Sequence, residues 1–237
     1  MLRLFFSAFV PLILIGCAGP APVDTPLRPK TSRLDWLGHQ SFLLTTSLGT
    51  KILTNPFASG VSSRSVPKNL TPNVVLISHE KREANNTDVF ENAPVVFRGA
   101  VGMGSNNAAG TRIRGTATFP NPSAPDVVGM NLVFSWTSDG IRFCFLGDVP
   151  STLPSPEALQ IGSVDVLFLP VDGRLGPTGR NAIIAQLRPR VIIPMGSNSA
   201  ISSWASGFSK VHRLEGHSVL LNKLALPSET TALVFSP

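Results

Sequence analysis

The 237-residue sequence is poor in charge, in histidine and in cysteine, with four histidines and two cysteines. Its formal charge is +6, but the lysines and arginines are scattered and form no basic stripe. A nucleic-acid-binding function is therefore not predicted. Hydrophobic residues make up 43% of the chain, which is enough for a core and excludes a disordered protein.

Two catalytic signatures are also absent. No Gly-x-Ser-x-Gly segment occurs, which argues against a nucleophilic hydrolase built on Ser197 or Ser105. Gly102-Met103-Gly104 lacks the third glycine of a dinucleotide-binding loop, because position 107 is asparagine. The many glycines and asparagines between Gly99 and Gly110 predict a loop rather than a strand.

The first 16 residues carry one positive charge and then an apolar run, which predicts a secretory signal over residues 1–16. Leu14-Ile15-Gly16-Cys17 resembles the bacterial lipobox. That resemblance implies a lipid on Cys17, a membrane-anchored envelope protein and, with Ala18 next, the outer membrane facing the periplasm. An ordinary signal peptide or a signal anchor is the alternative, although the run is short for a membrane span.

Residues 17–32 are rich in proline and predict an extended tether, followed by one domain over residues 33–237. If Cys17 carries lipid, Cys144 has no disulfide partner. Its apolar neighbours predict a small buried hydrophobe.

Short apolar runs separated by turns predict a strand-rich domain with few helices, of the α+β or α/β layered class. The clearest hairpin turns at Asp139-Gly140, because this pair favours the positive φ angles of a type I′ turn. The best helix candidates are 155–160 and 179–187.

Polar residues follow predicted strands at four places. Because such strand ends meet at one edge of a sheet, we expect these residues to converge there. The four segments are Leu37 to His39, Ser78 to Ala84, Leu146 to Asp148, and Ile193 to Asn198.

Taken in order, these segments resemble the metallo-β-lactamase superfamily, in particular its small metal-dependent hydrolases related to ascorbate-6-phosphate lactonase. Trp36-Leu37-Gly38-His39-Gln40-Ser41-Phe42-Leu43 resembles that branch, as does Asn55-Pro56-Phe57 where the family tends to have Asp-Pro-Phe. The resemblance implies a four-layer αβ/βα sandwich with its site at one edge of two sheets.

The family holds one or two zinc ions through histidines and aspartates. By the resemblance, His79 matches the first histidine and Asp148 the bridging aspartate. Glu83 matches an aspartate, and the remaining matched positions hold Lys81, Ala84 and Gly196, which are poor or impossible ligands. No histidine lies between Phe119 and Val127, where the family usually has another.

The predicted function is therefore a non-catalytic or non-canonical envelope protein that binds a small anionic ligand or a protein, with no cofactor. The alternative is an ester, lactone or phosphoester hydrolase with one metal ion, such as zinc, on His79 and Asp148, assisted by Glu83 or His39. The candidate pocket residues are His39, His79, Lys81, Glu83, Asp148, Ser197 and Asn198.

Each of these residues also has a purely structural interpretation. His79 could be a hydrogen-bonded structural histidine, Asp148 a turn cap, and His39 a buried donor to a carbonyl. His212 and His217 are predicted to lie on the surface. Lys81 is the discriminating residue: we expect its ammonium within salt-bridge distance of Asp148 or Glu83, in place of a metal ion.

Overall fold

The structure, a computed structural model, describes residues 30–120 and 129–236. These residues form two mixed β-sheets and three α-helices. The strands are β1 (Thr31–Gly38), β2 (Ser41–Thr45), β3 (Lys51–Thr54), β4 (Val74–Leu76), β5 (Val95–Phe97), β6 (Gly104–Ala108), β7 (Thr111–Thr118), β8 (Asn131–Ser138), β9 (Ile141–Phe145), β10 (Val166–Pro170), β11 (Val191–Met195), β12 (Val211–Leu214), β13 (Ser218–Asn222) and β14 (Thr231–Phe235). The helices are α1 (Ser155–Ile161), α2 (Pro177–Leu187) and α3 (Asn198–Ser206).

The first sheet, called sheet A, has the strand order β13-β1-β2-β3-β4-β5. Strands β13, β1, β2 and β3 pair antiparallel, while β3, β4 and β5 pair in parallel. The second, sheet B, has the order β12-β14-β11-β10-β9-β8-β7-β6. Its parallel half runs from β12 to β9 and its antiparallel half from β9 to β6. Strands β10 and β11 are buried along their whole length, as parallel strands covered on both faces must be.

The main core lies between the two sheets. Phe42 of sheet A packs against Phe168 of sheet B with ring centroids 4.9 Å apart, a tilted geometry that favours aromatic pairs. Trp136 stacks on Phe143 at 5.3 Å. A second, smaller core covers the other face of sheet A, where Leu70 and Phe90 of the loops pack against buried strand residues such as Leu53.

The fold class predicted from the sequence is confirmed: a strand-rich α+β sandwich of the metallo-β-lactamase type. Within the described ranges, the layer over the outer face of sheet A is built from loops rather than from an α-helix. The Asp139-Gly140 hairpin is confirmed, with φ angles of 50° and 77°. Cys144 is fully buried, as predicted, and burial raises the pKa of its thiol.

Three local predictions are wrong. Residues 104–108 form β6, although they include one glycine and two asparagines, because every residue of β6 pairs with a residue of β7. Helix α3 was not predicted; it begins after Ser197, whose hydroxyl accepts from the Ala200 N–H as an N-cap. Thr31 and Ser32, which were predicted to belong to the tether, pair with β13 as part of β1.

The predicted signal, Cys17 and most of the tether lie outside the described residues. No helix among residues 30–120 and 129–236 is long and apolar enough to cross a membrane.

Candidate functional site

Four of the predicted site residues meet at the edge where the parallel strands of both sheets end. His79, Lys81 and Glu83 follow β4, and Asp148 follows β9. The Lys81 ammonium lies 3.0 Å from Asp148 Oδ2 and 3.8 Å from Glu83 Oε1. The expected contact of Lys81 with the acids is therefore confirmed, with the lysine side chain half exposed.

His79 is buried among polar partners. Its Nδ1 lies 2.8 Å from Ser78 Oγ, while its Nε2 has no hydrogen-bond partner and stands 3.8 Å from Glu83 Oε1. Burial lowers the pKa of His79, and the charge of Lys81 lowers it further, against the opposing effect of Asp148 and Glu83. The imidazole is accordingly neutral at physiological pH.

A buried hydrogen-bond network holds the His79 ring in place through Ser78. The Ser78 N–H donates to Asn55 Oδ1 at 2.9 Å, so the amide nitrogen of Asn55 must be the group that donates to Ser78 Oγ and to Gln40 Oε1. The Ser78 hydroxyl keeps both its proton and a second lone pair, so it can donate to His79 Nδ1 or accept from it. In either tautomer Nε2 is the ring nitrogen on the side of Glu83.

Asp148 is held in place by backbone geometry. Its N–H donates to Asn131 Oδ1 at 2.9 Å, and Gly147 before it has a φ of +61°. A Cβ on Gly147 would lie 2.4 Å from Ser78 Oγ, and one on Gly173 would lie 2.8 Å from Asp148 Oδ1. Only glycines allow this close approach of the strand ends.

Asp172 belongs to this edge and was missed in the sequence analysis. Its Oδ2 accepts the Ser197 N–H at 2.8 Å. A Cβ on Gly196 would lie 2.5 Å from its carboxylate carbon, so Asp172 occupies the space where a side chain at position 196 would begin. The signal was available, because Asp172 lies two residues after an apolar strand, much as His79 and Asp148 lie three residues after theirs.

The remaining predicted site residues are His39, Ser197 and Asn198. His39 sits in the β1–β2 turn with a φ of +48°, and its charge affects the pKa of His79. Its Nδ1 is buried without a partner, so this atom makes no bond to a carbonyl. Ser197 caps α3, and Asn198 lines a separate small cavity of about 60 Å³ beside Trp36.

His217 does not lie free on the surface as predicted. Its Nε2 is 2.7 Å from an Arg64 nitrogen, and its ring packs near Trp36 with centroids 6.1 Å apart. Arg64 also lies over the Trp36 ring at 5.9 Å. His212 is exposed, as predicted.

Metal donors are sparse at this edge. Among residues 30–120 and 129–236, no three histidine, cysteine, aspartate or glutamate side chains are grouped as a metal site. Ala84 is fully buried and offers only a methyl group.

Comparison with known proteins fixes the family. The model of the β-lactamase superfamily domain matches residues 33–196. The chain belongs to the metallo-β-lactamase superfamily. A solved structure from Thermotoga maritima, named as a Zn-dependent hydrolase of this superfamily, is 27% identical, covers 86% of this chain and 98% of its own, and superposes with a TM-score of 0.68.

Two solved structures of lower identity are similar in fold alone. A metallo-hydrolase from Ignicoccus hospitalis is 19% identical over 81% of this chain and 99% of its own, with a TM-score of 0.59. A metal-dependent hydrolase from Parabacteroides distasonis is 16% identical over 70% of this chain and 82% of its own, with a TM-score of 0.54. No curated protein matches the chain.

Proposed function

We propose that this metallo-β-lactamase-fold protein is a metal-free binding protein rather than a hydrolase, anchored in the outer membrane by a lipid on Cys17. The observation that carries the first part is the 3.0 Å contact between Lys81 and Asp148. An ammonium beside the carboxylate that would bridge two zinc ions supplies fixed positive charge where the family uses a metal.

The donor set does not fit zinc, which binds about four nitrogen, oxygen or sulfur ligands. Lys81 competes for Asp148, and Ala84 and Gly196 offer no side-chain donor at the other matched positions. Asp172 fills the space of a side chain at position 196 and is bonded to the Ser197 N–H. Metal-assisted activation of water, the route that the superfamily uses, therefore has little support from the donors at this edge.

The charges at this edge favour a neutral, cationic or protein partner. Glu83 and Asp148 share the Lys81 ammonium, Asp172 adds a third carboxylate bonded to the Ser197 N–H, and His79 is neutral. A small anion, which was one of the two partners expected from the sequence, would meet excess negative charge here.

Elemental analysis and zinc titration of the full-length protein in detergent test this proposal. Wild type is expected to hold much less than one equivalent of zinc or manganese. Lys81→Ala should bind zinc more tightly, because it frees Asp148, while Lys68→Ala removes the same charge from an exposed loop and should change nothing. A full equivalent of tightly held metal in wild type, lost in His79→Ala, would overturn the metal-free proposal and favour the single-metal hydrolase.

A further inference from the structure

We propose that the outer face of sheet B carries a second site, built on Arg112, Arg114 and Arg142, that binds a phosphate-bearing anion. This site is independent of the proposed function at the other edge. Its ligand is a phosphate group, which could belong to a lipid headgroup or to a free phosphate compound.

Strand register places the three arginines on one face. Arg114 lies opposite Ser135, and Thr137, two residues after Ser135 on the same face of β8, lies opposite Arg142. Arg112, two residues before Arg114, is on the same side of β7. The alternate positions Ile113, Trp136 and Phe143 are buried in the core, which confirms that the arginines face outwards.

The arginines border a cleft of about 460 Å³, within the size range of small-molecule sites. Hydroxyl and amide groups complete its polar lining. These are Ser105, Ser135, Thr137, Gln160 and Ser163. Neutral donors between arginine forks are the environment that phosphate oxygens prefer.

A second cleft, of about 630 Å³, adjoins the first through Arg142 and Ser163. It adds Arg188 and Arg190 to the positive charge. The only acid among the residues that line the two clefts is Asp165. Asp165 is 1% exposed and already paired with Arg142 and Lys223, so it offers no free negative charge.

Several of these arginines retain free donors. Arg142 uses Nε and one terminal nitrogen on Asp165, and Arg112 uses Nε on Ser105. No contact among the described residues engages the guanidinium of Arg114 or of Arg188. Like charges placed side by side on one sheet face repel each other, and a bound dianion would remove that repulsion.

The geometry favours phosphate over a carboxylate ligand. A phosphate carries up to two charges and three acceptor oxygens, and can therefore use two arginine forks at once. The cleft also lies away from the candidate site, since Asp165 and Arg190 precede β10 and β11, whereas Asp148 and Asp172 follow β9 and β10.

Calorimetric titration of the full-length protein in a non-ionic detergent provides the test. The probes are inorganic phosphate, pyrophosphate, dihexanoyl phosphatidylglycerol and, as a zwitterionic comparison, dihexanoyl phosphatidylcholine. We expect saturable binding that weakens with added salt. Tighter binding of phosphatidylglycerol than of pyrophosphate would identify the ligand as a lipid headgroup. Equal or tighter binding of pyrophosphate would identify it as a free phosphate compound.

Arg112→Gln/Arg114→Gln should weaken binding by at least about tenfold per arginine, since hydrogen bonds to charged groups are that strong. Arg174→Gln/Arg213→Gln removes the same two charges elsewhere and should bind as wild type does. Arg112→Lys/Arg114→Lys keeps the charges but removes the paired N–H donors of the guanidinium groups. It should therefore lose part of the affinity for the phosphate probes.

Three results would overturn the proposal. The first is that none of the anionic probes binds. The second is that the Arg174/Arg213 variant loses as much affinity as the Arg112/Arg114 variant. The third is that phosphatidylcholine binds as tightly as phosphatidylglycerol. His79→Ala should leave binding unchanged whether or not the metal-free function is correct, so the two proposals fail separately.

Discussion

The candidate site edge differs in charge pairing from the outer face of sheet B around Arg112, Arg114 and Arg142, which is called the arginine face. At the edge, Lys81 lies against Asp148 and Glu83, so each charge has a partner of opposite sign although the acids are in excess. On the arginine face, Arg112 and Arg114 have no carboxylate partner among the described contacts. The charged residues that match the family motif therefore pair with one another. Arg112 and Arg114 lie outside the motif and have no acidic partner.

The first prediction concerns packing at the edge and has the largest expected effect. Gly147→Ala should lower the free energy of unfolding by about 3 kcal/mol or more, because its Cβ would overlap Ser78 and Asn131 at a positive φ. Urea denaturation measures this loss.

Gly110→Ala is the control. Gly110, in the β6–β7 turn, also has a positive φ, of 73°, but a Cβ there meets nothing within 4 Å. This substitution should lower the free energy of unfolding by only about 1 kcal/mol, which is the cost of a side chain at a positive φ. Equal losses in the two variants would show that the edge is not tightly packed around Ser78.

The second prediction concerns the one acid of the arginine face. Burial opposes the ionisation of Asp165, but hydrogen bonds from Arg142 and Lys223 outweigh it and lower its pKa to about 2. Since this folded pKa is below the unfolded value, ionised Asp165 stabilises the fold above about pH 4, and that stability is lost as pH falls through about 2.

Asp165→Asn should therefore be about 2 kcal/mol less stable than wild type at pH 7, with the difference vanishing at the acid end. Thermal or urea unfolding at several pH values measures it, and Asp88→Asn on an exposed loop should show no such difference. A gap that persists unchanged at pH 2 would contradict the ion-pair explanation.

The third prediction tests the ion pairs at the edge. Lys81→Met should lower the free energy of unfolding by less than about 1 kcal/mol, because Lys81 is half exposed and solvent screens its ion pairs. A larger loss in urea denaturation would mean that the ammonium is a structural requirement of the edge. An increase in stability would show that its ion pairs do not hold the acids together.

The fourth prediction has the smallest effect and the opposite sign. Arg112→Gln should raise the free energy of unfolding by a few tenths of a kcal/mol at low salt, because it removes repulsion from Arg114 and Arg142. The gain should disappear at high salt. Arg213→Gln, exposed on β12, provides the control, and a loss of stability in Arg112→Gln would show that the face is internally compensated.

Much of the fold follows from local sequence. The buried strands β4, β10 and β11 are short apolar runs, and Asp139-Gly140 fixes its hairpin through φ angles that few other pairs adopt. β6 could not be predicted locally, because its glycine and asparagines are strand formers only when β7 supplies the hydrogen bonds.

The site follows the same division. The sequence by itself determined which residues end the strands, and so placed His79, Lys81 and Asp148 at one edge. Only the tertiary structure decided that Lys81 bonds to Asp148, that Asp172 fills the space beside Gly196, and that arginines of separate strands share a face. The physical reason is range: propensity and periodicity act between near neighbours in the chain, whereas ion pairs and close packing depend on strand register and on the crossing of the sheets.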